Sequence, residues 1–115
     1  MKKYQTKKYQ TFFPQFVLEV LEENNSSITA KLNIAKGPQI KAPGIAKAVL
    51  ENDEISTGEL VKLKVYPRVP LPLIMAVVFE LDCLYKAIAI YDLEATAYTV
   101  VSSHSYHYEV GDNLE

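Results

Sequence analysis

The side chains equipped to act on a substrate are few and lie in the second half of the chain. His104 and His107, the only two histidines, stand three apart in Ser102-Ser103-His104-Ser105-Tyr106-His107-Tyr108. On a strand, residues three apart point to opposite faces, so only a helical turn would bring both imidazoles to one ion. A zinc site needs three or four ligands, and Cys83 is a third only if folding delivers it. Asp82, Asp92 and Glu94, with Lys86 between them, have the makings of a nuclease centre, where carboxylates converge on a divalent cation. Asp92 and Glu94 flank an expected turn, however, where solvated acids are ordinary. The serines beside His104 lack the Gly-x-Ser-x-Gly turn that exposes a nucleophile, and adjacency in sequence is not the geometry of a nucleophile and its base. With four glycines in all, there is no phosphate-cradling loop and no dinucleotide fingerprint. The chain is expected to have no catalytic residue, no metal site and no cofactor.

A second pattern is better populated. Lys31, Lys36, Lys41, Lys62, Lys64, Tyr66 and Arg68 lie on or beside expected strands, and Lys2, Lys3, Tyr4, Lys7, Lys8 and Tyr9 precede them. On a small barrel such residues would form a cationic groove with stacking surfaces, the arrangement that binds single-stranded nucleic acid without strong sequence preference. The competing reading is that lysines solvate the outer face of a sheet and block edge pairing, and a pI near 5.7 is low for a dedicated binder of nucleic acid. Tyr85, Tyr91, Tyr98, Tyr106 and Tyr108 fall in an acidic half of the chain. They are either half-buried strand residues or a protein-binding surface, since tyrosine offers a large contact area at low entropic cost. Pro67-Arg68-Val69-Pro70-Leu71-Pro72 has the Pro-x-x-Pro spacing read by polyproline-binding grooves. Lying between two strands, it reads more simply as a rigid crossover.

The elements that would position these residues follow from periodicity. Residues 15–23 alternate, with Phe16, Leu18 and Val20 on one side, although Phe13, Phe16, Val17, Val20 and Leu21 also fit helical spacing. The turn-forming Asn24-Asn25-Ser26-Ser27 and the alternating residues 28–34 that follow favour a hairpin. Residues 45–51 fit a short helix closed by Asn52 in a left-handed conformation, or another short strand. Residues 60–66 give the clearest period-two signal, and Pro67, Pro70 and Pro72 then interrupt regular pairing. Residues 73–81, 85–92 and 96–101 are rich in β-branched and aromatic side chains and read as strands.

Six or seven strands with at most one short helix predict a mainly β fold, a small barrel or compact sandwich, with an OB-like barrel as one candidate. A chain of 115 residues, 49% hydrophobic and 23% charged, is the size and composition of one globular domain. The division expected is a flexible basic arm over residues 1–11, one β-rich domain over 12–110, and a frayed acidic tail over 111–115. One cysteine allows no internal disulfide, which fits a reducing, cytoplasmic compartment. The basic start lacks a following apolar region of the kind that directs export, and the longest apolar run is too short and too proline-broken to span a membrane. Residues 1–68 carry a net charge of +4 and residues 69–115 one of −6, an asymmetry that favours partner docking or self-association. The function expected first is a non-enzymatic binding or protein-interaction module with a protein partner or a second copy of itself. Single-stranded nucleic-acid binding stands second, and a small metal-dependent hydrolase or nuclease third.

Overall fold

The computed structural model describes residues 12–115, so the basic arm lies outside the described residues. The elements run β1 (Phe12–Phe13), β2 (Phe16–Asn24), β3 (Ser27–Ile34), β4 (Ile40–Lys41), α1 (Ala42–Leu50), β5 (Gly58–Val65), α2 (Leu71–Asp82), β6 (Tyr85–Asp92), β7 (Ala97–Ser103) and β8 (Asn113–Leu114). Six strands form one sheet in the order β2-β3-β5-β6-β7-β8, and β1 pairs with β4 apart from it. β3, β5 and β6 run parallel, joined by crossovers that contain α1 and α2, while β2, β7 and β8 attach as antiparallel neighbours. The fold is mainly β, but the sheet is open.

The β2–β3 hairpin forms where the turn residues require it. Asn24 pairs with Ser27, and Asn25 takes the left-handed backbone (φ 46°) that so short a connection demands. Along β3 and β5, alternate residues Ile28, Ala30, Leu32, Val61 and Leu63 turn to one face and are buried there against Ile45 and Val49 of α1 and Leu73, Val77 and Leu81 of α2. Gly58 lies at the junction of three segments: its N–H donates to the Leu84 carbonyl, and the next N–H, of Glu59, donates to the Ser26 carbonyl. A Cβ at position 58 would fall inside the contact distance of the Ser26 carbonyl oxygen and crowd the Tyr85 ring.

Several expectations are corrected. Residues 73–81 are helix, not strand, so the fold has two helices where at most one was expected, and no barrel closes among the described residues. The reason is burial at every fourth position. Leu73, Val77 and Leu81 sink fully into the core, and this tertiary pattern overrides the local β preference of Val77, Val78 and Phe79. The prolines read as breaks are instead the start of α2, with Pro70 at its N-cap and Pro72 in its first turn, where a missing N–H costs nothing. α1 likewise does not end on a left-handed Asn52. Its C-cap is Glu51 in a right-handed conformation, and the Asn52 side chain donates to the Leu18 carbonyl at 2.9 Å. At the far end, residues expected to fray contribute β8, paired with Tyr98 and Thr99. No helix among the described residues is long and apolar enough to cross a membrane.

Candidate functional site on the open face of the sheet

Both helices lie on one side of the sheet, so the other side is free of helices. The period-two rule sends Thr29, Lys31 and Asn33 of β3 to this open face, with Leu60, Lys62 and Lys64 of β5, Ala87, Ala89 and Tyr91 of β6, and Tyr98 and Val100 of β7. Leu60, Ala87, Ala89 and Val100 are buried there as a small second core, against which Tyr98, Tyr108 and Leu114 pack.

Around that patch, three lysines each sit over a tyrosine ring. Lys31 Nζ is 5.5 Å from the Tyr66 centroid, Lys62 Nζ 5.3 Å from Tyr98 and Lys64 Nζ 5.5 Å from Tyr91, within the reach of cation–π attraction. Tyr91 and Tyr98, directly opposed across β6 and β7, meet edge to face at 5.2 Å. The alanines make this possible. Lys62, Ala89 and Val100 stand in one cross-strand row, and the single methyl of Ala89 leaves room for the Lys62 chain to reach across β6 to a ring on β7.

The surroundings favour the charged form of Lys31 and the neutral form of Tyr98. The Glu19 carboxylate, 3.2 Å away, accepts a hydrogen bond from Lys31 and raises its pKa, with a smaller contribution from Tyr66. Burial raises the Tyr98 phenol, and the neighbouring Tyr91 and Glu22 raise it further, so that ring is a neutral phenol at physiological pH. Lys62 also donates to the Glu115 carbonyl oxygen at 2.9 Å. A cavity of about 700 Å³ opens beside Lys64, Tyr66, Tyr91 and Asp92 at the carboxyl ends of β5 and β6. That is the end of a parallel sheet at which α/β proteins commonly bind ligands.

Of the residues singled out in the sequence, the fold therefore gathers Lys31, Lys62, Lys64, Tyr66, Tyr91 and Tyr98. Arg68 is exposed in the loop before α2, beside Tyr66 and Pro67. Lys36 lies in the connection after β3, and Lys41 is on β4, its Nζ 5.8 Å from the Phe12 centroid. Tyr85 is buried in the helix-side core, where its hydroxyl accepts the Ser56 N–H at 3.3 Å. Tyr108 packs on the second core, and Tyr106 is fully exposed in the segment between β7 and β8.

The acids expected beside Lys86 part company. Asp82 ends α2, whereas Asp92 ends β6 at the opposite end of that strand, where its Oδ1 accepts the Glu94 N–H at 3.0 Å. A polar cluster that sequence spacing did not reveal surrounds Asp82. Ser102 Oγ donates to its Oδ1 at 2.7 Å, and His104 Nε2 lies 3.3 Å from its Oδ2. The Ser102 hydroxyl, with smaller help from His104, holds the Asp82 carboxyl below its ordinary range against an opposing effect of burial. The carboxylate stands between serine and histidine, so the serine–base contact of a nucleophilic site is not made. Nearby, Lys86 pairs with Glu59 at 3.1 Å and Ser105 Oγ donates to Glu59 at 3.4 Å. Among the described residues, no three His, Cys, Asp or Glu side chains converge as metal ligands do. Compared with known proteins, the chain matches no family model, no curated protein and no solved structure.

Proposed function

We propose that this chain is a non-enzymatic binding module that holds single-stranded nucleic acid against the open face of its sheet. The observation that carries this reading is the three lysine–tyrosine pairs on one helix-free face. Phosphates take the lysines, bases stack on the rings, and neither contact depends on base identity. The cavity beside Lys64 and Tyr91 gives one base a place off the strand axis.

The test is titration of a fluorescently labelled oligonucleotide at two salt concentrations with the full chain. Binding at low salt that weakens as salt rises, with log K falling by roughly 0.7 per phosphate neutralised on a log salt scale, is the expected result. No binding at low salt, or binding indifferent to salt, would overturn the reading. Association with protein is a second reading, favoured by a separate observation: Leu71, Met75 and Phe79 of α2 are exposed.

A further inference from the structure

A twelve-residue helix, Leu-Pro-Leu-Ile-Met-Ala-Val-Val-Phe-Glu-Leu-Asp, carries no charge before Glu80. A helix apolar on every side belongs in a protein interior. α2 nevertheless buries only the side bearing Leu73, Val77 and Leu81, and leaves Leu71, Met75 and Phe79 at 67%, 61% and 70% exposure. Spaced by four, those three side chains form a ridge along the outside of the helix.

Beside the ridge the sheet continues without cover. β6 and β7 lie beyond α2, and their helix-side residues Ile90, Thr99 and Val101 line one wall of the cavity that Lys64, Tyr66 and Tyr91 also line, with Val101 43% exposed. Between α2 and β7 is a hollow of about 210 Å³ lined by Met75, Val78, Phe79, Asp82 and Ser102. One surface thus presents an apolar ridge and, alongside it, a trough.

We infer that a second copy of this chain covers this surface, as a two-fold dimer in which each α2 ridge enters the trough of its partner. A ridge and a trough side by side on one patch are what a two-fold interface requires, because each copy supplies what the other needs. Charge agrees. α2 itself carries no Lys or Arg, so it lacks the cationic polar side with which amphipathic helices hold anionic lipid. The area agrees as well. Leu71, Met75, Phe79 and Val101 expose on the order of 400 Å² of apolar surface, as large as the main patch of an ordinary monomer and about half of one partner's share in a standard interface. The strand wall beside them supplies more. The α2 ridge is on the side of the sheet opposite to the lysine–tyrosine pairs, whereas Val101 lines the cavity that Lys64 and Tyr91 also line, so Phe79→Glu is the variant that separates the dimer from nucleic-acid binding.

Sedimentation velocity of the full chain across a concentration series, beside Phe79→Glu, Val101→Glu and Leu50→Glu, tests the inference. Wild type is expected as a dimer. Phe79→Glu should raise the dissociation constant at least about thirtyfold, the loss of a central anchor, and Val101→Glu should weaken the dimer too. Leu50→Glu alters an exposed leucine on α1 and should leave the dimer intact. Far-ultraviolet circular dichroism spectra that match wild type establish that each variant folds, since loss of the dimer by itself lowers the melting temperature. A wild-type monomer at every soluble concentration would overturn the inference, as would a dimer indifferent to Phe79→Glu and Val101→Glu. A monomer that floats with phospholipid vesicles would overturn it in favour of a lipid surface.

Discussion

The two faces of the sheet are made by the same strands and are opposite in character. On the helix side, Val61 and Leu63 join a core with residues from both helices. On the open side, Lys62 and Lys64, their immediate neighbours, stand over tyrosine rings around a core of four residues. Period-two alternation separates the two roles residue by residue. Stability is concentrated on one side, and the side chains suited to recognition on the other, so a substitution that changes only one of the two properties identifies its face.

The largest expected effect removes the comparison altogether. Gly58→Ala forces a methyl against the Ser26 carbonyl and the Tyr85 ring and disrupts the start of three paired segments, so a loss of about 4 kcal/mol or more in urea unfolding is expected. Next, Leu63→Ala excavates the helix-side core and should cost about 3 kcal/mol of stability, while the folded fraction keeps its affinity for an oligonucleotide. A parallel drop in affinity would break the division between the faces. Tyr98→Leu should reverse the pattern by weakening oligonucleotide binding by about 1 to 3 kcal/mol through lost stacking at a smaller cost in thermal stability. The smallest effect belongs to Asp82→Asn. The folded-state pKa of Asp82 lies below its unfolded value, so the carboxylate stabilises the fold above the unfolded value near 3.9, and that contribution is lost as pH falls through the lower folded value. With a third of its side chain exposed, the contribution at pH 7 is under about 1 kcal/mol. Melting curves from pH 7 to pH 2 should therefore differ between wild type and variant at neutral pH and converge in acid.

Sequence alone made one face easier to read than the other. The alternation through residues 60–66 already places Lys62 and Lys64 opposite Val61 and Leu63, and the hairpin, β6 and β7 could be read within a few residues. Which lysine meets which tyrosine could not, because Lys62 reaches Tyr98 across two strand boundaries, and that pairing depends on strand order and on the small Ala89 between them. α2 was misread for a physical reason. A fully apolar run has no polar side to reveal its period, and only packing against α1 and the sheet distinguishes buried Leu73, Val77 and Leu81 from exposed Leu71, Met75 and Phe79. The link between Asp82 and Ser102 was hidden for the same reason, since it joins the end of α2 to a strand twenty residues later.

One detail of β7 governs both faces. The register between β6 and β7 slips between Ile88 and Ala89, leaving Val101 without a partner while Val100 pairs with Ala89 and Ser102 with Ile88. That single unpaired residue acts as a phase shifter: before it, even-numbered side chains look one way, and after it they look the other. Excising Val101 would therefore leave Ser102 and Ser103 on their present faces, because Val100 and Ser102 already oppose the adjacent residues Ala89 and Ile88. Forcing Val101 into the ladder opposite Ile88 would instead turn Ser102 away from Asp82 and rotate Ser103, which now donates to the Tyr108 carbonyl at 2.6 Å, toward the helices, so the closing segment of the chain would lose its anchorage through a change of parity alone.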